Sequence, residues 1–84
     1  MELETLFKLA VSDSHALAVK PSNDTLLQLH SLYKQATEGD ISTVFPANSL
    51  DFVAKARHEA WQSLKGISKE DAMKRYINLV NKLK

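Results

Sequence analysis

The sequence predicts an all-α protein, a four-helix bundle, on three observations. Apolar residues recur at three-and-four spacing in four separate stretches. Proline, glycine or a cluster of capping residues bounds each stretch. A chain of 84 residues without cysteine must be built from well-packed amphipathic elements, and helices meet that need best.

The first helix is expected over residues 3 to 17, with Leu3, Leu6, Phe7, Ala10, Val11, Ser14 and Leu17 on one face, and it ends at Pro21. Ser22, Asn23 and Asp24 are all capable N-caps for the second, whose stripe is Leu26, Leu29, Tyr33 and Ala36, with Gly39 as its stop. DISTVFPANS reads as a loop from about Asp40 to Ser49. The third helix runs from Leu50 to Leu64, burying Val53, Ala56, Ala60, Trp61 and Leu64 before Gly66. Ser68 followed by Lys69, Glu70 and Asp71 opens the fourth by a capping-box type start, and Met73, Tyr76, Ile77, Val80 and Leu83 form its inner face.

With 44% hydrophobic residues, the chain suits one domain over residues 1–84 and leaves no second core. The absence of cysteine removes disulfides, thiolate metal sites and thiol nucleophiles. The N-terminus lacks the basic region and apolar run of a secretory signal, and no stretch approaches the roughly 20 apolar residues of a membrane span. The expectation is a cytoplasmic protein with no stable membrane insertion. Eleven basic against ten acidic residues give a net charge of +1, with no continuous basic stripe for a nucleic acid. Any anion site must be local.

His15, His30 and His58 are candidate bases or ligands, yet none falls in a metal, phosphate-loop or nucleophile-elbow motif. The reading is therefore not an enzyme, with no metal and no cofactor. His30, Tyr33 and Lys34 fall at i, i+3 and i+4 and form one polar-aromatic patch on the second helix. Lys55 and Arg57 lie early in the third helix and Tyr76 midway along the fourth, so packing can bring rings and cations together. On spacing alone, a stripe tyrosine is more often core and a surface cation more often solvated. Trp61 reads as a core anchor.

Four ordered blocks change the reading: Lys20-Pro21, YKQATEGD from Tyr33 to Asp40, AWQSLKG from Ala60 to Gly66, and SKEDAMKRY from Ser68 to Tyr76. In residue type and order, over essentially the whole chain, they resemble the acyl-CoA-binding protein family. The resemblance implies up-down-down-up connectivity and a non-enzymatic carrier and pool former for medium- to long-chain fatty acyl-CoA. It further implies a monomer in transient contact with acyl-CoA-using enzymes.

Carried over by position, the resemblance implies that Tyr33 lies against the adenine and Lys34 pairs with the 3'-phosphate. Arg57 stands for a lysine near the phosphates, and Tyr76 for a tyrosine at the nucleotide. His30 replaces the usual tyrosine, His15 a frequent lysine, Val53 a frequent basic residue, and His58 a second tryptophan. The loop STVFPANSLDF is about one residue longer than the common form. Leu26 and Leu27 are expected to line the tail, and protonation of His15 and His30 near the ordinary value of about 6.5 is expected to favour binding in mild acid. The competing reading is a helical protein-interaction module that keeps the scaffold and loses the ligand.

Overall fold

The computed structural model describes residues 2–42 and 50–84 and consists, among these, of four helices with no strand. They are α1 (Glu2–His15), α2 (Asn23–Glu38), α3 (Phe52–Gln62) and α4 (Lys69–Leu83). Residues 43–49, which hold most of the loop expected from Asp40 to Ser49 and most of STVFPANSLDF, lie outside the described part.

Local chemistry sets the helix ends. Of the three candidate caps for α2, Ser22 takes the role, its hydroxyl accepting from the Thr25 amide at 3.2 Å. Ser68 accepts from the Asp71 amide at 3.1 Å and opens α4 as expected. Asp51 caps α3 through the Ala54 amide, so that helix begins two residues after the expected Leu50. At its other end the chain tightens into i→i+3 bonds from Leu64 and Lys65, which removes Leu64 from the helix proper. α1 also stops short of the expected residue 17. The Ser14 hydroxyl donates back to the Val11 carbonyl at 2.7 Å, and the Ala16 amide bonds Asp13 O in a tightened turn, so Leu17 falls outside it.

Contacts between the ends of the helices fix their directions. Gln35 near the end of α2 meets Trp61 near the end of α3, and the starts of both helices share a cavity wall, so α2 and α3 run parallel. Asp13 in the last turn of α1 pairs with Lys84 after α4 at 2.6 Å, which makes those two parallel. Gln35 also donates to Ile67 O just ahead of α4, so α2 and α4 are antiparallel. The connectivity is up-down-down-up.

The core lies where α4 packs against both α1 and α2. Phe7 and Ala10, Leu29, Leu32 and Ala36, and Ala72, Tyr76 and Val80 are its buried apolar residues. Among the described helices α3 packs against α2 alone and contributes no fully buried residue, which corrects the expected buried stripe: Val53 is exposed, while Ala56, Ala60, Trp61 and Leu64 are half-buried. A helix with one neighbour can cover only one side. Leu6, placed on the inner face of α1 by its spacing, is likewise exposed.

What ties α3 down is polar. Gln35 is 0% exposed, and its amide nitrogen donates to Asp40 Oδ1 at 2.8 Å and to Ile67 O at 2.7 Å. Its amide oxygen accepts from Trp61 Nε1 at 3.1 Å, and that indole nitrogen also reaches Gly39 O at 2.9 Å. Asp40 Oδ1 further accepts from the Gly66 amide at 2.9 Å. Gly39 and Gly66 have φ of 81° and 94°, so the two turns that meet at this hub need a residue free to enter the left-handed region.

The Gly66 amide and the Gln35 side chain hold the Asp40 carboxyl below its ordinary value of 3.8. A folded-state value below the unfolded one means that this contribution is complete above the unfolded value and is lost as pH falls through the folded one. In Asp40→Asn, followed by urea denaturation from pH 7 to 2.5, the stability deficit relative to the parent protein is therefore expected to be constant down to about pH 5. Below the ordinary value of 3.8 it should shrink. A deficit that grows in acid would show that the carboxylate is not held this way.

Candidate functional site

In the patch read from the sequence on α2, His30 and Lys34 are half-buried and Tyr33 is exposed. A cavity of about 430 Å³ among α1, α2 and α4 is lined by His15, His30, Tyr33 and Tyr76, over Leu26 and Leu29. A second, of about 470 Å³ between α2 and α3, is lined by His30, Arg57, Leu26 and Leu27 together with Phe52 and Val53. His30 and Leu26 belong to both walls. The two cavities are thus neighbours, one polar and aromatic, the other mainly apolar with Arg57 at its wall.

The rings are ordered by packing. Tyr76 is 4% exposed and meets Phe7 edge-on, centroids 5.2 Å apart, while Tyr33 lies at 24° to Phe7 with centroids 6.0 Å apart. Because the Ser14 hydrogen is used on Val11 O, the Tyr76 hydroxyl donates to Ser14 Oγ, at 3.0 Å. Burial pushes the Tyr76 phenol above its ordinary value of 10, so this ring stays neutral. Tyr33 remains 41% exposed and keeps ring surface for a ligand.

The cations are held differently. Lys34 Nζ lies 2.8 Å from Glu38 Oε2 and 5.6 Å from the centroid of the Trp61 ring. It stands outside both cavity walls, yet its charge, with that of Arg57, is felt at His30. Burial first, then Arg57 and Lys34, hold the His30 imidazole below 6.5. Burial and the two cations thus keep this histidine neutral near pH 7 in the free protein, which corrects the expectation of an ordinary titration there.

Of the six residues singled out, His15, His30, Tyr33, Tyr76 and Arg57 line the paired cavities, and Lys34 lies one helical turn beyond His30. Leu26 and Leu27 also stand where expected, on the apolar wall. Two contributors were not singled out. Phe7, assigned to the core by its spacing, is the ring on which Tyr33 and Tyr76 are both placed. Gln35, between Lys34 and Ala36, lies off the stripe of Leu26, Leu29, Tyr33 and Ala36, so its spacing gave no signal of burial. Trp61 anchors α3 by its indole nitrogen rather than by full burial. Among the described residues no group of three His, Asp or Glu is placed to hold a metal.

The family model described as Acyl CoA binding protein matches residues 4–80, nearly the whole chain. The chain belongs to the acyl-CoA-binding protein family. The "Acyl-CoA-binding protein" of Dictyostelium discoideum is 44% identical over 79 residues, covering 94% of this chain and 93% of that one. The "Acyl-CoA-binding protein homolog" of Manduca sexta is 41% identical over 83 residues, covering 99% and 92%. Among solved structures, that of Oryza sativa acyl-CoA-binding protein 2 superposes with a TM-score of 0.89 at 34% identity, over 96% of this chain and 89% of its own. The structure of the same family's protein from Moniliophthora perniciosa gives 0.87 at 33%, over 95% and 78%. The acyl-CoA-binding protein fold is therefore shared in sequence and in structure.

The Lys34–Glu38 pair is exposed, and exposed pairs contribute roughly 0–1 kcal/mol, so an anionic ligand can displace the carboxylate at little cost. Glu38→Gln removes both the competitor for Lys34 and a negative charge beside it. Isothermal titration with palmitoyl-CoA at low salt should give affinity a few-fold tighter than the parent. Weaker binding would show that Glu38 positions Lys34 for the ligand instead of competing for it.

Proposed function

We propose that the protein binds medium- to long-chain fatty acyl-CoA esters non-covalently and serves as a monomeric carrier and pool former in the cytoplasm, exchanging its ligand with acyl-CoA-using enzymes. The observation that carries the proposal is the paired cavity around His30. Tyrosine rings line one of the two cavities that His30 shares and an apolar wall with Arg57 lines the other, in a chain matched by the family over residues 4–80. The relatives named above are acyl-CoA-binding proteins by name, and the family is a binding family. No helix among the described residues is long and apolar enough to cross a membrane.

The ligand joins a polyanionic nucleotide head to an alkyl tail, and the two cavities offer a ring-lined wall for the one and a mainly apolar wall, with Arg57 on it, for the other. Tyr33 offers exposed ring surface to the adenine, where stacking of a base contributes about 1–3 kcal/mol. Lys34 and Arg57 supply charge to the phosphates, each charged hydrogen bond contributing roughly 1.5–3 kcal/mol. His15 and Tyr76 complete the head-group wall. The tail lies along Leu26, Leu27, Phe52 and Val53. Val53, where the resemblance leads one to expect a basic residue, extends that apolar wall.

Tail burial dominates the affinity. A fully buried methylene contributes about 0.8 kcal/mol, so ten methylenes shielded on one side contribute about 4 kcal/mol, more than any single head-group contact. The whole-chain match does not favour the interaction-module alternative.

Palmitoyl-CoA is expected to bind roughly a thousand-fold more tightly than free CoA, the ratio that corresponds to about 4 kcal/mol. Tyr33→Ala and Lys34→Ala are each expected to weaken both ligands by ten-fold or more. Calorimetric titration giving equal affinities for the two ligands would contradict the carrier reading. So would undiminished binding by the double variant.

A further inference from the structure

From the place of His30 on the wall common to both cavities, one helical turn from Lys34 on α2 and on the same cavity wall as Arg57 of α3, we infer that this histidine takes up a proton when the acyl-CoA head group binds. The inference rests on the function proposed above and adds its regulation: affinity rises as the surroundings become mildly acidic.

The geometry carries the argument. A polyanion drawn to Lys34 on α2 and Arg57 on α3 must approach His30, whose charge state both cations already influence. The other titratable groups facing His30 through the cavities are His15 on α1, Asp24 and Tyr33 on α2, and Tyr76 on α4. Asp24 is the one carboxylate on either wall, and Tyr76 is held neutral by burial.

In the free protein, burial and the two cations keep the imidazole neutral. A third positive charge within reach of Lys34 and Arg57 would be self-repelling. Bound phosphates reverse that balance, because they compensate the two cations and bring negative charge to the ring. An opposite charge within about 4–6 Å raises the pKa of a histidine by roughly 1–3 units, against which the added covering by ligand works in the lowering direction.

The sign follows. A group whose pKa is raised by the ligand makes binding tighter as pH falls through its bound-state value, and the gain levels off below its free-state value. Because the free value lies below 6.5, the window opens below 6.5 and closes at the bound-state value. The 3'-phosphate itself has a second pKa near 6 and loses protons on pairing with cations, which is an opposing contribution that any measurement must separate.

The test is NMR titration of the His30 ring carbon-bound protons in the free protein and in its complex with palmitoyl-CoA, together with calorimetry at pH 6.5 in buffers of different ionisation enthalpy. The expected result is a His30 midpoint below 6.5 when free and higher by about one unit when bound. Net proton uptake should exceed that of His30→Phe by several tenths of a proton. Binding with an unmoved or lowered His30 midpoint, or proton uptake that persists in His30→Phe and disappears in His15→Gln, would overturn the inference while leaving the carrier function intact. Failure of the parent protein to bind palmitoyl-CoA would overturn both.

Discussion

The bonds made by one buried amide, Gln35, decide how this molecule holds together. α3 has a single helical neighbour and buries no residue completely, so apolar packing alone gives it a weak hold. The Gln35 side chain supplies what packing does not. It joins the end of α2 to Trp61 of α3, to Asp40 in the turn that follows α2, and to the Ile67 carbonyl at the entry to α4. A buried donor or acceptor left without a partner costs roughly 1–3 kcal/mol, so a network in which every member is satisfied favours one arrangement strongly over near neighbours. Among the described residues no buried side-chain polar atom is unpartnered.

The site inherits its geometry from that hub. Lys34 precedes Gln35 on α2 and rests over the Trp61 ring, whose indole nitrogen the hub fixes. One helical turn before Trp61, Arg57 faces His30 across the α2–α3 cavity. Sliding α3 along α2 would separate Arg57 from His30 and reshape the apolar wall formed by Leu26, Leu27, Phe52 and Val53. The core on the other side of α2, where Phe7 and Tyr76 meet, places Tyr33 by packing. Polar order on one side of α2 thus places Lys34 and Arg57, and aromatic order on the other places Tyr33. Two kinds of force hold the proposed site.

Much of this was legible from residue spacing. The four helices, the caps at Ser22 and Ser68 and the stop of α2 at Gly39 follow from local chemistry, and local chemistry is what a sequence displays most directly. The ends of α1 and α3 were not, because the Ser14 back-bond and the tightened turn after Gln62 are choices between hydrogen bonds of similar strength. The stripe on α3 was read as buried because periodicity marks a face without saying how many neighbours cover it. Tyr33 and Lys34 stood out by spacing, but their roles came from resemblance, since spacing does not distinguish a core tyrosine from a half-exposed one. The state of His30 was hidden for a similar reason: it depends on Arg57, twenty-seven positions away, coming across from another helix.

The claim that a polar hub remote from the ligand sets the site is tested most directly by Gln35→Leu, which keeps a side chain of similar bulk and removes all three bonds. Palmitoyl-CoA affinity should be measured by calorimetry at a temperature where urea denaturation shows the variant to be folded. Gln35 lines neither cavity, so a hub that matters only for stability would leave affinity unchanged in the folded fraction. The expected result is a loss of stability of about 2 kcal/mol or more together with affinity weakened at least ten-fold. Parent-like affinity in the folded variant would contradict the account.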